Sequence, residues 1–356
     1  MPRGPDTDRE RNLAIVVSKP VSEARIDALE AEGVYDDTRM VREHDADTLE
    51  LPVTERPAET DFDRLLEQSD PDLRAPGLRD LLRDRGWSDA EYERAPSSWA
   101  VVGTVILADF TDCPRPEEVG DALLALHSEA DTVLARGGIG GEHRQPDVSV
   151  VAGEGDTETV HTEHGTRYAL DLASVMFAPG NKAERARMGE EVVEGERVLD
   201  MFAGIGYFAL PMARAGAEVT AVEKNPDAFR FLAENAQLNG VSDNLDCLLG
   251  DCRDVDTGAD RVVMGYYDAL GGGPVDDVEA TDSGPGYLDA ALDNLDPGGL
   301  LHVHSAVPEA ELWERPVSRL RAGCERAGRT VEIEDRRRVK SHSAGVDHVV
   351  LDARVE

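Results

Sequence analysis

Lysine is nearly missing from this chain. Lys19, Lys182, Lys224 and Lys340 are the only ones among 356 residues, which also carry 73 Asp and Glu and a formal net charge of −36. Cysteine is scarce too, and Cys113, Cys247, Cys252 and Cys324 show no metal-type pair spacing. That argues against a zinc ribbon or a disulfide scaffold and for free thiols in a reducing cytosol. No apolar run approaches the roughly 20 residues of a membrane span, and the N-terminus lacks the basic-then-apolar layout of a signal peptide. The expectation is therefore a cytoplasmic protein with no membrane partner. His302 and His304 alternate on one strand and face the same way, but no third ligand lies near them in sequence, so no metal is expected. The acid is spread over the whole chain above an intact apolar periodicity. A uniformly acidic surface with lysine almost eliminated is a halophile's way of staying soluble, because at molar salt the Debye length is about 3 Å and self-repulsion is screened.

What is present is clearest between Arg197 and Pro226. Arg197-Val-Leu-Asp-Met-Phe-Ala-Gly-Ile-Gly-Tyr-Phe reads as a buried strand running into a glycine turn, and Val-Thr-Ala-Val-Glu223-Lys224-Asn225-Pro226 as a second strand ending in an acid. This is the nucleotide-binding half of a doubly wound α/β fold. Gly204 and Gly206 allow close backbone approach to a ligand. Glu223, about 20 residues beyond them, is placed to accept from both hydroxyls of a ribose. Gly204-x-Gly206-x-x-Ala209 with Glu223 also meets the loose NAD fingerprint, so two ligand classes fit the glycines. Three neighbours favour S-adenosylmethionine. Asp200 ends the first strand, where it would repel a pyrophosphate but suit an ammonium or sulfonium. Asp251, with Cys252, follows the next apolar run, where an adenine amino group would lie. Asn225-Pro226 opens a helix in the manner of enzymes that act on nucleic acid bases.

Around this core the chain divides into an N-terminal α+β unit (1–57), a partly helical linker (58–97), a middle α+β domain (98–175) and a Rossmann-like catalytic domain (176–356). The first unit should hold a strand at Leu13–Val17, a helix closed by Gly33, and strands near Thr38–Arg42 and Thr48–Val53. The middle domain should begin with one long strand, Trp99–Leu107, then a helix at Glu117–His127 and a strand at Thr132–Ala135. Its short strands Val148–Ala152, Glu158–His164 and Thr166–Leu172 should pair antiparallel because their connections are short. It contains a basic glycine-rich turn, Arg136–Arg144. In the last domain strands are expected at Arg197–Met201, Glu218–Glu223, Leu245–Leu249, Asp260–Met264, Leu300–His304, Thr330–Val339 and His348–Asp352. Helices fill Asp227–Asn239, Gly286–Leu295 and Glu309–Gly328, and Asp268–Gly286 is expected to be a mobile loop over the ligand crevice. Ligands bind such sheets at the carboxyl ends of the strands.

The motifs Ser174-Val-Met-Phe-Ala-Pro-Gly-Asn-Lys-Ala-Glu-Arg-Ala-Arg-Met188, Asp200–Phe208, Glu223–Pro226 and Glu234–Asn239 resemble archaeal enzymes that modify the nucleoside at position 37 of tRNA. Two sister branches share the layout, a tRNA guanine-N1 methyltransferase and a wybutosine-synthesis aminocarboxypropyltransferase. The latter moves a 3-amino-3-carboxypropyl group from S-adenosylmethionine onto 4-demethylwyosine. Tyr207-Phe208 in the glycine loop, Gly265-Tyr266 after the fourth strand, Asn181-Lys182 and His302-x-His304 are the transferase branch's form. The resemblance thus implies a class I S-adenosylmethionine-dependent fold acting on tRNA, with the methyltransferase as the alternative. A non-catalytic tRNA-binding relative would be expected to have lost Asp200, Glu223 and Asp251, and all three are present. The final strand region departs from the family, reading Lys340-Ser-His-Ser-Ala344.

The implied cofactor-binding residues are Asp200, Phe202, Gly204, Gly206, Glu223, Lys224, Asn225, Asp251 and Cys252. Lys182, Arg185, Tyr207 and Tyr266 are candidate catalytic residues. Arg185 would clamp the methionine carboxylate or a phosphate through paired hydrogen bonds, and the tyrosines would stack on the base. Arg136, Arg144 and the run Arg336, Arg337, Arg338, Lys340 are candidate tRNA contacts. Phosphate contacts weaken steeply with salt, so an acidic protein in strong salt must depend on a few focused cations.

Overall fold

The computed structural model describes residues 12–267, 269–270, 286–343 and 345–356. Two units emerge, one running to Ser88 and one from Asp89 to Glu356. In the first, β1 (Leu13–Ser18) is central. It pairs antiparallel with β3 (Thr48–Pro52) on one side and β4 (Arg64–Glu67) on the other, and β2 (Arg42–Glu43) extends the sheet beyond β3. Helix α1 (Ser22–Glu32) covers it and ends at Gly33, whose φ of +75° closes the last turn. Buried Arg39 ties the sheet together, donating to Asp36, Gln68 and the carbonyls of Leu13 and Val53. The stretch expected to be a linker therefore contributes a strand, β4, and a short helix, α2 (Leu78–Asp84), with Leu78 and Leu82 buried.

The second unit opens with α3 (Asp89–Tyr92). The long apolar run then splits into β5 (Trp99–Val102) and β6 (Val105–Ala108), because Gly103 at φ +58° turns the chain back on itself. A Cβ at Gly103 would lie 2.0 Å from the Thr159 hydroxyl, so the turn also depends on glycine for space. Helix α4 (Pro116–Leu126) crosses over to β7 (Thr132–Gly140), which makes β6 and β7 parallel. The basic glycine-rich segment is mostly strand. β7 continues to Gly140, β8 (Gln145–Gly153) begins just past it, and only residues 141–144 turn. A separate hairpin follows, β9 (Glu158–Glu163) with β10 (Thr166–Asp171).

After α5 (Lys182–Glu191) come β11 (Arg197–Asp200), α6 (Ala209–Arg214), β12 (Glu218–Glu223), α7 (Pro226–Leu238), β13 (Leu245–Leu249), β14 (Ala259–Met264), α8 (Tyr287–Asn294), β15 (Leu295–Pro308), α9 (Glu314–Arg326), β16 (Val331–Ser343) and β17 (Val346–Val355). The seven-stranded sheet runs β13-β12-β11-β14-β15-β17-β16. Its first five strands are parallel, and β17 is antiparallel to both neighbours. The expected alternation of strands and helices is present throughout, with longer final strands. The sheet reverses direction of winding between β11 and β14, the place where such folds bind ligands. Residue 268 and residues 271–285, the bulk of the loop expected over the crevice, lie outside the described residues.

Val102, Val105 and Leu134 of the smaller sheet share one apolar core with Tyr168, Leu170, Phe177 and the loop and helices around β11. Buried hydrogen bonds from Asn235 stitch this seam. Fully buried Asn235 on α7 donates to the carbonyls of Ala169 and Ile205, both at 3.0 Å, and accepts from the Ala169 amide at 2.6 Å. It joins the β10 edge to the glycine loop. Asn235→Ala would strand three buried backbone groups and is expected to cost about 3 kcal/mol. Urea unfolding at constant m-value is the check.

Candidate functional site

The carboxyl ends of β11 to β14 enclose a cavity of about 300 Å³. Its floor is the glycine loop. Gly204 takes φ +58° and Gly206 φ +101°, and a Cβ on Gly204 would lie 2.4 Å from the Tyr207 ring. Gly204 borders the cavity; Gly206 is turned away, with Leu210 and Leu232 against it. Glu223 joins this loop to the next strand end, since its Oε2 accepts from the Gly204 amide and its Oε1 from the Asn225 amide, both at 2.7 Å. Each oxygen keeps a lone pair for a ligand in the cavity. Burial pushes the Glu223 carboxyl above the usual range, against the three backbone hydrogen bonds that favour the anion.

Asp200 differs from its expected role. It is fully buried behind the loop and is not among the cavity-lining residues. Its Oδ1 accepts from the Phe202 amide at 3.2 Å, while Oδ2 has no hydrogen-bond partner. Burial, with the charge of Glu223 adding to it, pushes this carboxyl up to about 7.

Across the cavity, Asp251 is gripped by Arg253 through Nε at 2.9 Å and Nη2 at 2.7 Å, with Lys224 at 3.4 Å. These cations hold Asp251 well below the ordinary carboxylate range. Lys224 also pairs with Glu142, and Asn225 donates to the His143 carbonyl at 3.3 Å. The 141–144 turn is thereby fastened over the cavity. Phe202 packs against Tyr266 and Tyr287, with ring centroids 5.5 and 5.0 Å away, and Arg144 lies over Tyr266 and Tyr267 at about 6 Å. Buried Cys252 completes this wall, its thiol pushed up to about 12 by burial.

Arg185 projects from α5 to the far side. Its Nε and Nη2 engage both oxygens of Glu163 at 2.6 and 2.8 Å, and Nη1 donates to the Ala178 carbonyl. The guanidinium stacks on Phe177 and borders Tyr207, 4.9 and 5.9 Å from the ring centroids. Burial opposes ionisation of Glu163, yet hydrogen bonds from His161 and Arg185 hold it down to about 2. Arg185 and Tyr207 line the cavity; Lys182 is exposed and does not.

The run Arg336–Lys340 splits by strand alternation. Arg337 turns inward onto Glu184 at 2.9 Å, Asp335 at 2.5 Å and Asp352 at 2.6 Å, so it is a structural residue and not a phosphate contact. Arg338 pairs with Asp347 at 2.7 Å, Arg336 and Arg136 are exposed, and Lys340 is half-buried. Beneath Arg337, Asp352 contacts His302 Nδ1 at 2.6 Å, His302 Nε2 meets His304 Nε2 at 3.1 Å, and His304 Nδ1 meets His348 Nε2 at 2.8 Å. Glu184 brings a carboxylate oxygen within 4.8 Å of a ring nitrogen of each of the two histidines, a neighbour that the spacing of the histidines could not reveal. These atoms are already engaged with one another and with Arg337, which makes the group a hydrogen-bonded network. Burial, reinforced by its histidine neighbours, holds His304 well below the ordinary imidazole range, and its neutral ring forms part of the cavity wall.

Sequence reading missed Glu142, Glu163, Arg253, Tyr267 and Tyr287. Arg253 stood next to two named residues, and its guanidinium lies 5.0 Å from the Tyr287 ring. Glu163 carried no motif.

Residues 159–334 match the TRM5/TYW2 methyltransferase domain and residues 78–157 the TYW2 N-terminal domain. A Pyrococcus horikoshii protein named tRNA(Phe) (4-demethylwyosine(37)-C(7)) aminocarboxypropyltransferase is 38% identical over 80% of this chain and 99% of its own length. The crystal structure of P. horikoshii TYW2 in complex with MeSAdo superposes with a TM-score of 0.64 at 33% identity, covering 78% of this chain and 97% of that one. Trm5b from Pyrococcus abyssi superposes at 0.71 with 28% identity, covering 97% and 99%.

The buried Asp200 gives a signed pH dependence. Its carboxyl titrates near 7 in the fold against 3.8 in the open chain, so this group's own contribution to stability is fully present below 3.8 and is lost as pH rises through 7. Asp200→Asn should therefore raise the melting temperature of the ligand-free protein at about pH 8, by about 2–4 °C for each kcal/mol regained, and the gain should vanish in acid. Calorimetric melts across pH test this.

Proposed function

The chain belongs to the TRM5/TYW2 family, and from that premise we propose that it transfers the 3-amino-3-carboxypropyl group of S-adenosylmethionine to 4-demethylwyosine at position 37 of tRNA(Phe). The observation that carries this reading is the similarity, 38% and 40% identical, to two archaeal proteins named for that reaction. The archaeal Trm5b methyltransferases stand at 31% and 26%. The TYW2 structures with MeSAdo and AdoMet support the donor.

The cavity suits the donor on its own terms. Gly204 lines the cavity, its Cβ position filled by the Tyr207 ring, and Glu223 retains acceptor capacity on both oxygens. In the reaction, a ring carbon of the base bonds to the γ-carbon of the methionine portion, the bond from that carbon to sulfur breaks with its electron pair going to sulfur, and the ring proton leaves. Glu223 holds the ribose hydroxyls. Asp251, fixed by Arg253, faces the adenine, with Phe202 and Tyr287 enclosing the ring. Arg185 has one N–H left on each terminal nitrogen after Glu163 and Ala178 are served, and these face the methionine carboxylate. Which carbon reacts depends on which lies in line at about 3–3.5 Å, so Arg185 decides the outcome by fixing the amino acid end. Tyr207 and Tyr266 stack on the base.

In the same reading, Arg136, Arg144, Arg336 and Lys340 meet the tRNA, the N-terminal unit contacts it away from the anticodon, and the protein works in the cytoplasm of a salt-adapted archaeon. No helix among the described residues is long and apolar enough to cross a membrane. The guanine-N1 methyltransferase is the second reading, favoured by the 0.71 superposition on Trm5b.

Mass spectrometry of the products in high salt separates them. Methylthioadenosine with an aminocarboxypropyl gain on tRNA bearing 4-demethylwyosine is expected; S-adenosylhomocysteine with unmodified guanosine tRNA would establish the methyltransferase. Glu223→Ala should weaken donor binding at least tenfold by calorimetry, and an unchanged dissociation constant would remove Glu223 from the site.

A further inference from the structure

We propose that Lys340, beside the Pro179–Asn181 turn, and Arg136 form a subsite for one backbone phosphate of the RNA strand whose base enters the cavity. The inference rests on the tRNA reading above and adds to it a place and a ligand atom.

The first observation is the company this lysine keeps. Of the four lysines, Lys19 pairs with Glu43, Lys224 with Glu142 and Asp251, and Lys182 is exposed to solvent, which can answer its charge. Lys340 has no carboxylate within ion-pair distance among the described residues, in a chain of net charge −36. It is half-buried, yet its nearest charges of influence are cations. Burial, then Arg185, then Arg136, push its ammonium below the ordinary lysine range. Half-burying a cation next to two others is unfavourable unless an anion completes the group. Arg185 is answered by Glu163 at 2.6 Å, whereas among the described residues neither Lys340 nor Arg136 makes an ion pair, and the carboxylate that feels Arg136 is exposed Asp109.

The second observation is position. The lysine stem lies against Gly180, where a Cβ would come within 3.2 Å of Lys340 Cδ and 3.4 Å of Nζ. Glycine at this point lets the ammonium reach the turn whose other side, through Ala178 and Asn181, lines the cavity. Neither Lys340 nor Arg136 lines the cavity itself. A ligand held wholly inside would meet Arg185 and miss them. A nucleotide that inserts its base and leaves its backbone at the rim would meet both.

The test measures binding of an anticodon stem-loop RNA over a range of potassium chloride concentrations, with donor affinity measured in parallel by calorimetry. Each lost phosphate contact lowers the slope of log affinity against log salt by about 0.7–0.9. Lys340→Gln should lower it by that amount and leave donor affinity unchanged. Gly180→Val keeps every charge and displaces the stem, and should reproduce the loss; melting curves establish that both variants fold. An unchanged slope in Lys340→Gln overturns the proposal. So does a fall in donor affinity with an unchanged slope, which would assign the cations to the methionine carboxylate. If wild-type protein binds the RNA with a Lys340-dependent slope but yields no aminocarboxypropyl product, the reaction assignment fails and the phosphate subsite stands.

Discussion

The paired hydrogen bonds between Arg185 and Glu163 are the constraint on which this site depends. Both side chains are buried, so neither charge is tolerable alone, and removing one member of such a pair typically costs about 3–5 kcal/mol. The pair fastens the β9–β10 hairpin to α5. The next residue back, Glu184, reaches the opposite way to Arg337 and His302. One turn of helix therefore holds the hairpin with one side chain and the β15–β17 edge of the main sheet with its neighbour. The cavity lies between these two anchorages. Tyr207 and Phe177 owe their positions to the guanidinium they flank.

Much of this was readable from residue order. The glycine loop, the acids at the strand ends and the alternation of strand and helix after Met176 follow from local rules, because a parallel sheet buries both faces and advertises each strand as an apolar run. Other features needed the third dimension. Gly103 looked like one residue of a long strand, and only its left-handed backbone and the Thr159 contact make it a turn. The parallel pairing of β6 with β7 was hidden because α4 is a short crossover. Arg337 was grouped with its neighbours by charge, although a two-residue period already places it on the other face from Arg336 and Arg338. Glu163 gave no warning, since a lone glutamate on an amphipathic strand reads as a solvated edge until its partner 22 residues away is found.

The charge distribution separates two jobs. Acid over the surface is a property of the whole chain; the cations are placed individually. Arg253 and Lys224 fix a carboxylate that faces the cavity, Arg337 neutralises a buried network, and Arg144 lies over a tyrosine wall. These cations are each assignable to a specific neighbour. Among the described residues Lys340 is informative for a different reason, that it is half-buried without an ion-pair partner.

The seam stitched by Asn235 bears on how such a protein can be recombined. Residues 98–175 look like a module in the sequence, yet Val102, Val105 and Leu134 pack into the same apolar mass as Ile205, Phe208 and Leu232. A graft exchanging that stretch alone would cut through one core and replace the residue, Ala169, that supplies two of the three backbone partners of the Asn235 amide. The chain's natural joint lies at Ser88, where the contacts divide. Chimeras between the two branches should be spliced there, with the roof of the cavity travelling together with its floor.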